Sequence, residues 1–176
     1  DAYLTPGWVT PLVIPFVPEL ADPNALVLDP AAGRGDLLKA LRAGGAVCGL
    51  EALEIDESAA KACSEHADWC FQRDALTSEP WASPPNPRPD AVVMNPPFSH
   101  AERFVRRALA EVKHGGTVAA LLRLGFLESE ERSAFVREWT PDVRVLWRRP
   151  SFTGHGTDST AYAWMIWRAG MPRSEG

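Results

Sequence analysis

The stretch ALVLDPAAGRGDLLKALRAGG, residues 25–45, decides the fold. Its opening residues are apolar and end in an acid, Asp29, as a buried strand does when it reaches the edge of a sheet. Gly33-Arg34-Gly35 then allows a tight turn. Leu37, Leu38 and Leu41 recur at helical spacing after it, and Gly44-Gly45 stops the helix. A strand, a glycine turn and an amphipathic helix make the first half of a βαβ unit.

The same alternation continues outward from this unit. Strands are expected within 46–56, 69–76, 90–94, 117–124, 143–147 and 161–168, and helices over 57–67, 101–116 and 129–139, with Ser129 as an N-cap. Before the first strand, Thr10-Pro11 reads as the start of a helix kept short by Pro15 and Pro18. The expectation is an α/β fold with a mostly parallel sheet. The last two strands are joined by a polar, Gly-rich loop with no helix between them, which predicts an antiparallel pair at one sheet edge. Residues 1–176 read as one domain.

Hydrophobic content of 45% and charged content of 23% are those of a soluble globular protein. No apolar run approaches the roughly 20 residues that span a bilayer. No basic stretch precedes an apolar one at the N-terminus, so a secretory signal is not expected. Three cysteines without a CxxC pair argue for reduced thiols and a cytoplasmic protein. The scattered histidines suggest no metal site. Charge is uneven. Residues 1–98 carry 6 basic and 14 acidic side chains, whereas residues 99–176 carry 12 basic and 9 acidic ones. The second half is rich in arginine, clustered at Arg103, Arg106 and Arg107 and at Arg144, Arg148 and Arg149, which suits a polyanionic partner as well as a solvated surface.

Chemistry-bearing residues fall at four successive strand ends, where open parallel sheets bind ligands. The turn after Asp29 lacks the third glycine of the dinucleotide fingerprint, since position 38 is leucine. A zwitterionic ligand without a pyrophosphate suits it better, its ammonium taken by Asp29. Glu54 or Asp56, about 20 residues further on, could accept both hydroxyls of a ribose. Asp74 could accept from an adenine amine. The fourth strand, DAVVM, ends in Asn95-Pro96-Pro97-Phe98. An exocyclic amine is a poor nucleophile because its lone pair is delocalised into the ring. Two acceptors aimed at its N–H bonds, Asn95 Oδ1 and the Pro96 carbonyl, would favour a pyramidal nitrogen. The prolines hold that carbonyl in place, and Phe98 offers a face to a flat base. The near-copy SPPNP at 83–87 has no strand before it and reads as linker.

Together these motifs resemble the S-adenosylmethionine-dependent amino-methyltransferases that modify adenine N6 or cytosine N4, in their gamma order. The resemblance runs through Asp29-Pro30-x-x-Gly33-x-Gly35, Glu54-x-Asp56, Asp74 and Asn95-Pro96-Pro97-Phe98, with Tyr3-Leu4-Thr5-Pro6 similar to the family's N-terminal cofactor segment. It implies the class I, Rossmann-like methyltransferase fold with a seven-stranded sheet. It also implies a cofactor site built from Tyr3, Thr5, Pro6, Asp29, Pro30, Ala31, Gly33, Gly35, Glu54, Ile55, Asp56, Asp74, Ala75 and Asn95. The catalytic corner would be Asn95, Pro96, Pro97 and Phe98. Phe98, Phe152 and His155 would meet the substrate. The activity implied is N6-adenine methylation of nucleic acid, DNA ahead of RNA, by base flipping. Cytosine N4, a protein glutamine amide or a silent cofactor-binding subunit are the other readings. No stretch is left over for a target-recognition domain; a compact DNA modifier with loose specificity, a structured-RNA modifier, or a chain working with a recognition subunit or a second copy of itself would each fit.

Overall fold

The computed structural model describes residues 5–77, 79–82, 87–151 and 159–171. Seven strands form one sheet: β1 (Leu26–Asp29), β2 (Gly49–Glu54), β3 (Trp69–Gln72), β4 (Ala91–Met94), β5 (Thr117–Arg123), β6 (Asp142–Val145) and β7 (Tyr162–Arg168). Four helices connect them: α1 (Asp36–Ala43), α2 (Glu57–Cys63), α3 (Ala101–Glu111) and α4 (Ser133–Glu138). The strand order is β3-β2-β1-β4-β5-β7-β6. All pairs are parallel except β5 with β7 and β7 with β6. The chain order reverses direction between β1 and β4, and the C-terminal strand ends open there into a crevice.

β4 shows why the strands read as unbroken apolar runs. Ala91 and Val93 join the hydrophobic layer on one face, while Val92 and Met94 join the layer on the other. Helix α1 and the segment before β1 cover the first face with Leu37, Leu38, Leu41, Val9 and Val13. Helices α3 and α4 cover the second with Phe104, Val105, Ala108 and Phe135. A strand packed on both sides has no polar alternation to show.

Three local expectations are corrected. Residues 10–21 are not one short helix but three 3-10 turns, at Thr10–Leu12, Ile14–Phe16 and Pro18–Ala21, each with a proline in its first two positions. Each proline lacks the N–H that a continuing helix needs. Thr10 is not the cap of the first turn, since Val9 holds that position and Thr10 is buried. Ser129 makes no side-chain cap either: a 3-10 turn over Glu130–Arg132 precedes α4. The β6–β7 pair does lie at the sheet edge, with β7 inserted between β5 and β6, so the last strand in sequence is internal to the sheet. Trp164 and Tyr162 on β7 are accordingly among the most buried large side chains.

Candidate functional site

A cavity of about 410 Å³ lies at the C-terminal ends of β1, β2, β3 and β4. Its size is that of a small-molecule site. The glycine turn forms one wall. Gly33 and Gly35 sit at φ values of 54° and 87°, in the left-handed region that other residues enter at a cost. Gly35 is also close to its neighbours: a Cβ there would lie 3.2 Å from Cys63 and from His66. This turn lets α1 start against α2 while its backbone faces the cavity.

Glu54 holds the turn in place. Its carboxylate accepts the Gly33 N–H at 2.7 Å through Oε2 and the Asp56 N–H at 2.9 Å through Oε1. Asp56 has a different task. It caps α2, with Oδ1 accepting the Ala59 N–H at 2.8 Å. Both acids line the cavity, Glu54 as the one that holds the glycine turn and Asp56 as the one that caps α2. Asp74 Oδ1 accepts the Leu76 N–H at 2.8 Å, a local turn that leaves its second oxygen for other partners.

Asp29 is only 1% exposed and accepts a hydrogen bond from the Ala31 N–H at 3.1 Å. Burial pushes its carboxyl up to about 7; the Ala31 bond opposes the rise and the Glu54 charge adds to it. A buried acid of this kind, lining a cavity, is suited to a cationic ligand group that would restore its ionised form.

Asn95 lies opposite. Its Nδ2 donates to Thr5 Oγ1 at 3.1 Å, and Oδ1 is the other end of the amide. Oδ1 is buried and has no hydrogen-bond partner among the described residues. An unsatisfied buried carbonyl costs about 1–3 kcal/mol. Asn95 lines the cavity, and a buried acceptor without a partner is one that a donor bound there would satisfy. The carbonyl of Pro97 is taken by the His100 N–H at 2.9 Å.

The cavity brings together Thr5, Asp29, Pro30, Ala31, Gly33, Glu54, Ile55, Asp56, Asp74, Ala75, Asn95 and Pro97. Pro6, Gly35 and Pro96 are not among the lining residues, though each is the chain neighbour of one that is. Tyr3, Phe152 and His155 lie outside the described residues. Phe98 turns away from this cavity into an adjoining groove of about 980 Å³, which also holds Arg103, Arg106, Arg123 and Arg132. Its ring centroid is 5.4 Å from that of Tyr162, and the Arg123 guanidinium lies 4.5 Å above it. Arg107 does not join the groove. It donates to the carbonyls of Thr77 and Glu79 and pairs with Glu111 at 2.8 Å.

Sequence reading missed Arg34, Asp36, Leu37, Arg73 and Phe104, all of which line the cavity. Asp36 was within reach, since it follows the glycine turn directly. Phe104 was not, because helical periodicity assigns it to the core. Arg73 donates to the Trp81 carbonyl at 2.6 Å, across a proline-rich segment that reads as plain surface loop. Trp81 is itself buried there, its indole bonded to the Ala75 carbonyl at 2.8 Å.

No protein-family model and no curated protein matches the chain. Solved structures do. One, from Pyrococcus horikoshii and provisionally described as an RNA methyltransferase, has a TM-score of 0.70 at 18% identity, covering 96% of this chain and 88% of that one. The chain has the class I methyltransferase fold. An RNA methyltransferase from Salinibacter ruber, solved with S-adenosyl-L-homocysteine, superposes at 0.62 with 16% identity over 98% and 97% of the two chains. A SAM-dependent O-methyltransferase from Thermotoga maritima gives 0.68 at 16% identity over 99% and 69%. At such identities the likeness is one of fold, and within the class I methyltransferase fold the cavity sits at the reversal of strand order. No helix among the described residues is long and apolar enough to cross a membrane.

Proposed function

We propose that this chain is an S-adenosylmethionine-dependent methyltransferase acting on the exocyclic amine of a nucleic-acid base, adenine N6 first. The observation that carries the reading is the Asn95 side chain: Thr5 holds its amide and leaves Oδ1 buried and partnerless among the described residues. The residues of the cavity fit the cofactor. The glycine turn admits a close backbone approach, Asp29 would take the ammonium group, Glu54 the ribose hydroxyls and Asp74 the adenine amine. When bound, the sulfonium supplies an electrophilic methyl group.

The chain's own part is to prepare the nucleophile. Asn95 Oδ1 and the Pro96 carbonyl accept the two N–H bonds of the target amine, so that its lone pair is freed toward the methyl group. Consecutive prolines hold that corner rigid before the substrate arrives. The proton departs after transfer and needs no strong base. The groove beside Phe98, with its four arginines, suits the phosphates of the polymer that carries the base. This one domain would carry both functions.

The sequence motifs favour DNA. The solved neighbours from P. horikoshii and S. ruber, both described as RNA methyltransferases, favour RNA. Labelled S-adenosylmethionine offered with duplex DNA, single-stranded DNA, RNA and protein, followed by mass spectrometry of a nucleoside digest, decides between them. N6-methyladenine in either polymer is the expected product. Label found only in protein would refute the nucleic-acid reading.

A further inference from the structure

A second feature of the same sheet edge belongs to neither cavity. Trp147, just beyond β6, is 72% exposed, and Val145 two residues earlier is exposed as well. The Trp147 ring centroid lies 5.6 Å from that of Trp8, with the planes inclined at 56°. The Arg148 guanidinium covers both rings, 4.2 Å from Trp8 and 4.7 Å from Trp147. Among the described residues, Arg144, Arg148 and Arg149 form no ion pair. Trp147 is the exposed member of the group and Trp8 is half-buried against the core; an exposed indole beside a guanidinium offers a stacking surface with a charge at its rim.

The sheet register places this cluster on the rim of the site. Val145 pairs with Ala163, and Ala163 with Leu122, while Ala120 pairs with Met94 at the end of β4. Trp147 therefore emerges at the same end of the sheet as Asn95. Three strand spacings separate β6 from β4, about 14 Å. Trp8 follows Thr5, the residue bonded to Asn95, by three positions.

We propose that Trp147, Trp8 and Arg148 form a stacking platform for single-stranded nucleic acid flanking the methylated base. The proposal rests on the nucleic-acid reading above. Indole faces take bases of any sequence, and the arginines take phosphates; a duplex hides the base faces that the platform needs. A second copy of this chain fits poorly. A twofold contact would bring the patch against itself and set its arginines face to face.

The test uses the intact protein and fluorescein-labelled 12-residue oligonucleotides, single-stranded RNA, single-stranded DNA and duplex DNA, followed by anisotropy. Trp147→Ala should weaken single-strand binding by about tenfold to a hundredfold. Trp147→Phe should restore most of it, duplex binding should move less, and cofactor affinity should be unchanged. Wild-type and Trp147→Ala proteins binding single strands equally overturns the platform while leaving the nucleic-acid reading intact. Equal losses on single strand and duplex also overturn it, as does a dimer that Trp147→Ala dissolves while oligonucleotide affinity holds. Failure of the wild-type protein to bind any of the polymers overturns the nucleic-acid reading itself.

Discussion

Replacing Asp29 by asparagine separates the two demands on that residue. Asparagine keeps the shape and the acceptor for the Ala31 N–H but cannot ionise. The Asp29 carboxyl is raised from an ordinary value of 3.8 to about 7, chiefly by burial. Folding therefore takes up a proton between those values, and the wild-type protein loses stability as pH rises through the window. Each unit is worth about 1.4 kcal/mol, so the full cost by about pH 8 is near 4 kcal/mol, and at about pH 5.5 it is near 2 kcal/mol. The asparagine variant escapes that cost. Its stability advantage over wild type should widen by about 2 kcal/mol between those two pH values, or roughly 4–8 °C in melting temperature for a domain of this size. Urea unfolding at both pH values measures the gap. The same change should cost the cofactor about tenfold to a hundredfold in affinity, because a hydrogen bond to a charged group disappears. A gap that stays constant between the two pH values would refute the raised carboxyl. Unchanged cofactor affinity would remove the ammonium from its vicinity.

Three further outcomes are expected. Asn95→Ala should lower single-turnover methyl transfer by about a hundredfold to a thousandfold, with cofactor affinity by calorimetry nearly unchanged; transfer within tenfold of wild type would remove Asn95 from catalysis. Gly35→Ala should destabilise the fold by about 1–3 kcal/mol in denaturant unfolding, because its φ is 87° and its Cβ would press on Cys63. Gly33→Ala should cost less, since a Cβ there meets nothing within 4 Å, and an order reversed between the two would contradict the packing. Replacing Arg103 and Arg106 together should flatten the salt dependence of nucleic-acid binding by about 0.7–0.9 for each phosphate left without its arginine; an unchanged slope would clear that face.

The arrangement of strands and helices was legible because it rests on short-range signals. The turn after Asp29, the glycine stop after α1 and the proline corner after β4 are each written in fewer than a dozen consecutive residues. Apolar periodicity marked α1 and α3 for the same reason. Signals of that range misled where prolines broke the helix before β1 into separate turns. They misled again at Ser129, whose residue type suits a cap that the chain does not use.

Pairings between distant segments lay beyond such signals. Both Glu54 and Asp56 line the cavity, and which of them held the glycine turn and which capped α2 was settled only by the fold. Arg107 reads like its neighbour Arg106, but the fold ties Arg107 to Thr77, Glu79 and Glu111, whereas Arg106 pairs with Glu102 one turn earlier and stays in the groove. Thr5 and Asn95 meet only because the N-terminal segment packs over the end of the sheet. Trp8 and Trp147 meet because β7 is inserted between β5 and β6, carrying β6 to the rim. Residue order along the chain was enough to write the motifs, since turns and helix periods are local. Which motif atoms were left free for a ligand was settled by nonlocal register and packing, as at Asn95, where Thr5 meets the amide nitrogen and Oδ1 has no partner among the described residues.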